Sequence, residues 1–151
     1  MSEQDLFNGL IATYRDLNFK VRSLPEARLK LGRSRDTVRS VIVDLRDDEL
    51  RFSQALKERL TGVPMTNVFG SEDEPETPEV ASSDDTTVEV LSQFGTARES
   101  TLAMLRGMAP EAWDDTSQGP VTIRAAIDAL LANDTVHLEK VVRLLGSPSP
   151  G

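Results

Sequence analysis

The sequence predicts an all-α fold: a four-helix up-down bundle built from two copies of one helical hairpin, with a long crossover between the second and third helices. Three observations predict it. Apolar residues recur at helical spacing in four stretches. A segment of acids, glycine and proline with no such period divides them into two pairs. Residues 85 positions apart match across a whole hairpin.

The first helix is expected over about residues 3–23. Ser2 with Asp5 reads as its N-terminus, and Leu6, Leu10, Leu17 and Val21 form its stripe, with Phe7, Ile11 and Tyr14 beside them. Leu24-Pro25 ends it, because a residue before proline disfavours helical geometry. The second is expected over 36–60, on Val38, Val41, Ile42, Leu45, Phe52 and Leu56, stopped by Gly62 and Pro64. Residues 61–85 then read as an acidic linker. The third, over 86–107, carries Val88, Leu91, Phe94, Ala97, Leu102 and Leu105, and Gly107 and Pro110 close it. The fourth, over 120–145, carries Ile123, Ile127, Leu130, Leu131, Leu138, Val141, Val142 and Leu145. The domain thus spans 1–146, and 147–151 reads as a flexible tail.

The internal match is ungapped. Pro25-Glu26-Ala27 corresponds to Pro110-Glu111-Ala112. Thr37, Arg39, Ile42 and Leu45 correspond to Thr122, Arg124, Ile127 and Leu130, and Leu6, Ala12 and Leu17 to Leu91, Ala97 and Leu102. Shared periodicity alone would not keep Pro-Glu-Ala at a fixed distance from Thr-x-Arg. An antiparallel pair used twice, each burying its apolar face on the other, accounts for it.

Composition narrows the function classes. At 151 residues, with 38% hydrophobic and 28% charged residues, the chain fits one globular domain. It has no cysteine, which excludes disulfides, thiolate metal sites and a cysteine nucleophile. No signal-like or membrane-spanning apolar run occurs, so a cytoplasmic location and no membrane partner are expected. The net charge of -8 argues against nucleic acid. Charge is nonetheless uneven. Lys20, Arg22, Arg28, Lys30, Arg33, Arg35 and Arg39 are opposed only by Glu26 and Asp36. From 71 to 89 the chain holds Glu72, Asp73, Glu74, Glu76, Glu79, Asp84, Asp85 and Glu89 and no base. These are either two solvated surfaces or, for the basic run, the rim of an anion-binding mouth. No nucleophile elbow, Walker A motif or dinucleotide glycine pattern is present.

Asp36 to Leu50 reads DTVRSVIVDLRDDEL, and Thr122 to Leu138 reads TIRAAIDALLANDTVHL. These resemble the two signature helices of the DinB-like family of bacterial metal-binding bundles, and Leu102 to Trp113 resembles the stretch before the second. The resemblance covers roughly residues 5 to 145. It implies a bundle in which three histidines bind a divalent metal of the zinc, nickel or manganese type. Position by position, those histidines fall on Asp44, Asn133 and His137, so only one is kept. The family's tryptophan before the second helix is replaced by Arg35-Asp36. The resemblance further implies relatives that use the metal to activate a small thiol for transfer or isomerisation.

The residues themselves allow less. Asn133 and His137 stand i, i+4 on one helix face, and Asp44 would approach from a facing helix. Asp and His are legitimate ligands, while a neutral amide binds such ions poorly. Asp48, one turn beyond Asp44, is a substitute ligand. The metal site therefore reads as eroded, with weakened binding or none. His137, the sole histidine, is alternatively a packed or hydrogen-bonded side chain. Glu49 and Asp134 are repeat-equivalents on or beside the apolar stripes, expected at the stripe edge and reaching water, unless Asp134 orients His137, Arg39 or Arg124. Trp113 is expected to pack over the end of the bundle. The competing reading is a non-catalytic module that binds a small ligand, of thiol or anion type, or another protein. Its pocket would lie between the second and fourth helices, with a basic rim from Arg28 to Arg39. A homodimer through spare apolar helix surface is the third.

Overall fold

The structure, a computed structural model, describes residues 2–33, 36–62 and 85–146. Among these residues every regular element is helical. Four helices are long: α1 (Glu3–Val21), α3 (Val38–Thr61), α4 (Thr87–Arg106) and α5 (Ile123–Gly146). Two short elements precede α3 and α5: α2 (Glu26–Leu29) and a 3-10 turn (Pro110–Asp114). Most of the 61–85 linker, the 147–151 tail and Arg35 lie outside the described residues.

Local chemistry fixes each start. Ser2 and Asp5 form a reciprocal capping box at α1, and Thr86 and Glu89 form another at α4. The Thr37 hydroxyl accepts from the Ser40 amide at 3.0 Å, and the Thr122 hydroxyl accepts from the Ala125 amide at 3.0 Å. Gly62 ends α3 in the left-handed region at φ 74°, which glycine adopts without a Cβ penalty.

The two short elements are absent from the sequence reading, which took Pro25 and Pro110 as stops. Each proline instead opens a new turn, as its fixed φ and missing amide allow at a helix start. The turns stand at repeat-equivalent positions and place Leu29 and Trp113 in the core.

Helix directions follow from contacts. Arg39 donates to the Asp85 carbonyl, Arg46 to Gln93 and Arg98 to Glu49, so α3 and α4 run the same way. Arg124 bonds Glu3 and Thr13 bonds Asp134, so α1 and α5 are also parallel. Asp48 meets Asn133 and Arg59 meets the Val121 carbonyl, which sets α3 antiparallel to α5. Arg22 meets Ser92 and Arg98 meets the Leu10 carbonyl, which sets α1 antiparallel to α4.

Two expectations are corrected here. The order is up-down-down-up, not a simple up-down alternation. In addition, the principal neighbours of α1 are α4 and α5, and those of α3 are also α4 and α5. The two helices of each expected hairpin therefore pack mainly on the other half, not on each other. The physical reason lies in the polar contacts between the halves: parallel pairing of α3 with α4 brings Arg46 to Gln93 and Glu49 to Arg98.

The core falls into two apolar clusters. One gathers Leu17, Val21, Leu29, Val41, Ile42, Leu45, Val90, Leu91, Phe94 and Val141. The other gathers Leu6, Leu10, Leu56, Leu102, Leu105, Trp113, Ile123, Ile127 and Leu130. On each long helix the residue between the two clusters is polar: Thr13, Glu49, Arg98 and Asp134, all buried. Trp113 packs edge-on against Phe7, with Arg124 over its ring.

Candidate functional site

The expected metal positions separate into different uses. Asn133 donates its amide to Asp48 at 3.2 Å, so the two helices do bring this pair together. Asp48 also accepts from Arg51 at 2.6 Å. His137 Nδ1 lies 2.8 Å from the Asn133 carbonyl. A carbonyl can only accept, so Nδ1 is the donor in this contact. Asp44 is half-buried on α3. Among the described residues, no three His, Asp or Glu side chains group so as to hold a metal ion. The donor set itself fits one poorly: a neutral amide, a carboxylate already committed to an arginine, and one imidazole nitrogen.

The charge chemistry of the interior lies elsewhere. Arg98 on α4 donates through Nη1 to Asp134 at 3.0 Å and to the Leu10 carbonyl at 2.8 Å. Through Nη2 it reaches Glu49 at 2.9 Å and the second Asp134 oxygen at 3.0 Å. Thr13 adds a 2.7 Å bond to Asp134. Exposure is 2% for Arg98, 1% for Glu49 and 2% for Asp134. Both acids thus depart from the expectation that they sit at the stripe edge and reach water. Asp134 pairs with Arg98, not with His137, Arg39 or Arg124. Burial pulls the Arg98 pKa down, but Glu49 and then Asp134 outweigh it and hold the group above its ordinary value.

Two atoms of this cluster have no hydrogen-bond partner, Glu49 Oε2 and Arg98 Nε. The cluster is enclosed and its cation is spent on two acids. It suits fixing the register of four helices better than proton transfer. Sequence reasoning missed Arg98. The signal was present, since Arg98 stands i+4 from Phe94 and i+7 from Leu91, on the stripe itself. A base on one stripe with acids on two others is a pairing to be sought.

Two open grooves flank the core. One, of about 660 Å³, runs between α3 and α4. Its walls include Arg46, Leu50, Ser53, Lys57, Thr96 and Ala97. The other, of about 500 Å³, runs between α1 and α5, with Asp5, Asp16, Asp134, Leu131 and Leu138 in its walls. They are repeat-equivalents, since Arg46, Leu50, Ser53 and Ala97 match Leu131, Thr135, Leu138 and Ala12, 85 positions apart. Neither is the expected pocket between α3 and α5. Part of the expected basic rim is also spoken for: Arg28 donates to the Leu145 carbonyl, and Arg39 to the Asp85 carbonyl with Glu26 at 3.6 Å.

No family model, no curated protein and no solved structure matches this chain.

Proposed function

We propose that this protein is a DinB-like four-helix bundle, made of a duplicated two-helix unit, that has lost its metal centre and serves as a small-ligand-binding module. The observation that carries the reading is the division of labour among its polar groups. Of the positions that would hold a metal, Asn133 bonds Asp48, which also takes Arg51, and His137 bonds the Asn133 backbone carbonyl. The buried charges are locked in a closed triad. The largest of the described openings lies between α3 and α4, and its volume is in the range of small-molecule sites. Lost donors at the metal positions remove the thiol chemistry that the resemblance implies, since nothing there would hold and polarise a thiolate.

An NMR-detected screen of neutral, anionic and cationic small molecules against the full chain tests it. Saturable shifts confined to groove residues support the reading, and a screen with none removes it. Titration with zinc, nickel and manganese salts tests the lost metal centre. The expected result is no saturable shift of His137 or Asp44 at micromolar metal, and tight uptake at those residues overturns it.

A further inference from the structure

We infer that the groove between α3 and α4 takes a small amphipathic carboxylate, with its anionic head at Lys57 and its apolar body along Leu50 and Ala97. This deepens the binding-module reading above and rests on it. The groove's ten lining residues include two cations, Arg46 and Lys57, and no acid, although the chain holds 25 acids. Lys57 forms no ion pair among the described residues and stands exposed at the groove. Arg46 is buried and paired with Asp47 at 2.7 Å and Gln93 at 2.6 Å, so its charge is spent and Lys57 is the cation the groove offers. On α3, positions 46 and 57 lie on one face, about 16 Å apart along the axis at ~1.5 Å per residue. Leu50 stands between them, and Ala97 forms the opposite wall. Hydroxyls of Ser53, Ser92, Thr96 and Ser100 border this strip. The arrangement offers a cation with no ion pair among the described residues at the end of an apolar lane, which is the complement of a carboxylate on a short hydrocarbon.

The equivalent groove between α1 and α5 is an internal control. Asp5 and Asp16 stand in its walls and no base does, and its buried Asp134 is already paired with Arg98, so it offers a carboxylate no cation.

The test is a titration of the full chain with octanoate and, separately, with the neutral alcohol octan-1-ol, followed by amide chemical shifts. Octanoate should move Leu50, Lys57 and Thr96 saturably and leave Gly9 and Leu131 unmoved. Octanol should bind about tenfold more weakly, the worth of one charge-assisted contact. Lys57→Glu should weaken octanoate about tenfold and leave octanol unchanged. Thr96→Trp, a change at an exposed wall position, should abolish binding of both while leaving Tm unchanged. Equal binding of both probes with no response to Lys57→Glu overturns the anion inference and leaves an apolar binding module. Shifts in the α1–α5 groove, or none in either groove at millimolar octanoate, also overturn it. In the last case the broader screen decides separately whether the groove binds any small molecule.

Discussion

Thr37 caps α3 and Thr122 caps α5, each accepting from the amide three residues on at 3.0 Å. Pro25 opens a short turn before one of these helices and Pro110 opens another before the other. The two halves of the chain are held in shape by the same devices at the same spacing. At the centre they part. Position 98 is an arginine and its equivalent, position 13, is a threonine, and both bond Asp134. Asp134 receives three hydrogen bonds from these two side chains, whereas its equivalent Glu49 receives one and keeps an oxygen without a partner. The grooves part in the same way, one walled by Arg46 and Lys57 and the other by aspartates. The difference teaches that helix ends specify the scaffold, while a single layer of side chains sets the charge inside it.

The largest expected effect comes from removing the shared cation. Arg98→Ala leaves two buried carboxylates uncompensated, and urea unfolding should show a loss of roughly 3–5 kcal/mol. Asp134→Ala should cost more than Glu49→Ala, because it strands both Arg98 and Thr13. Equal losses would erase the asymmetry between the halves.

A smaller effect is expected at Gly95, where an added Cβ would lie 2.5 Å from the Tyr14 ring. Gly95→Ala should cost about 1–3 kcal/mol by displacing that ring. Gly9→Ala meets only the tip of Leu131, at 3.0 Å, and should cost less by the same unfolding measurement.

Thr37→Ala and Thr122→Ala should each cost about 1 kcal/mol. Unequal losses would show that the two caps do not do equal duty.

The smallest effect concerns Arg124, whose hydrogen bonds hold the Glu3 and Asp114 carboxyls below their ordinary pKa values of 4.5 and 3.8. A carboxyl depressed by folding adds stability above its ordinary pKa, and that stability is lost as pH falls through the lower folded value. The stability gap between wild type and Arg124→Gln should therefore be largest above about pH 4.5 and shrink towards zero in acid. A gap independent of pH would remove the electrostatic role.

Much of this was legible in the sequence, because periodicity and punctuation are local. The stripes from Leu6 to Val21 and from Val38 to Leu56 follow from helical spacing, and Gly62 and Gly107 mark real ends. Helix direction was not legible. It is set by side-chain contacts between helices distant in the chain, such as Arg46 with Gln93, which local spacing does not reveal. The site was legible only in part. The spacing of 85 paired Glu49 with Asp134, and the substitute ligand Asp48 does meet Asn133. That Glu49 and Asp134 meet through Arg98 was readable only by matching a base on the third stripe with acids on two others, a match that crosses three helices. Nor could the spacing show the grooves, which lie between parallel helices and are lined by small side chains such as Ser53, Thr96 and Ala97.

If the halves are equivalent about the central layer, the guanidinium should work from either side of it. Equilibrium urea unfolding of Thr13→Arg/Arg98→Thr against Arg98→Thr alone measures this directly. The account predicts that the double variant regains stability, because the new guanidinium on α1 faces Glu49, Asp134 and the Gly95 carbonyl, the equivalent of the Leu10 carbonyl that Arg98 uses now. A double variant no more stable than Arg98→Thr alone would contradict it.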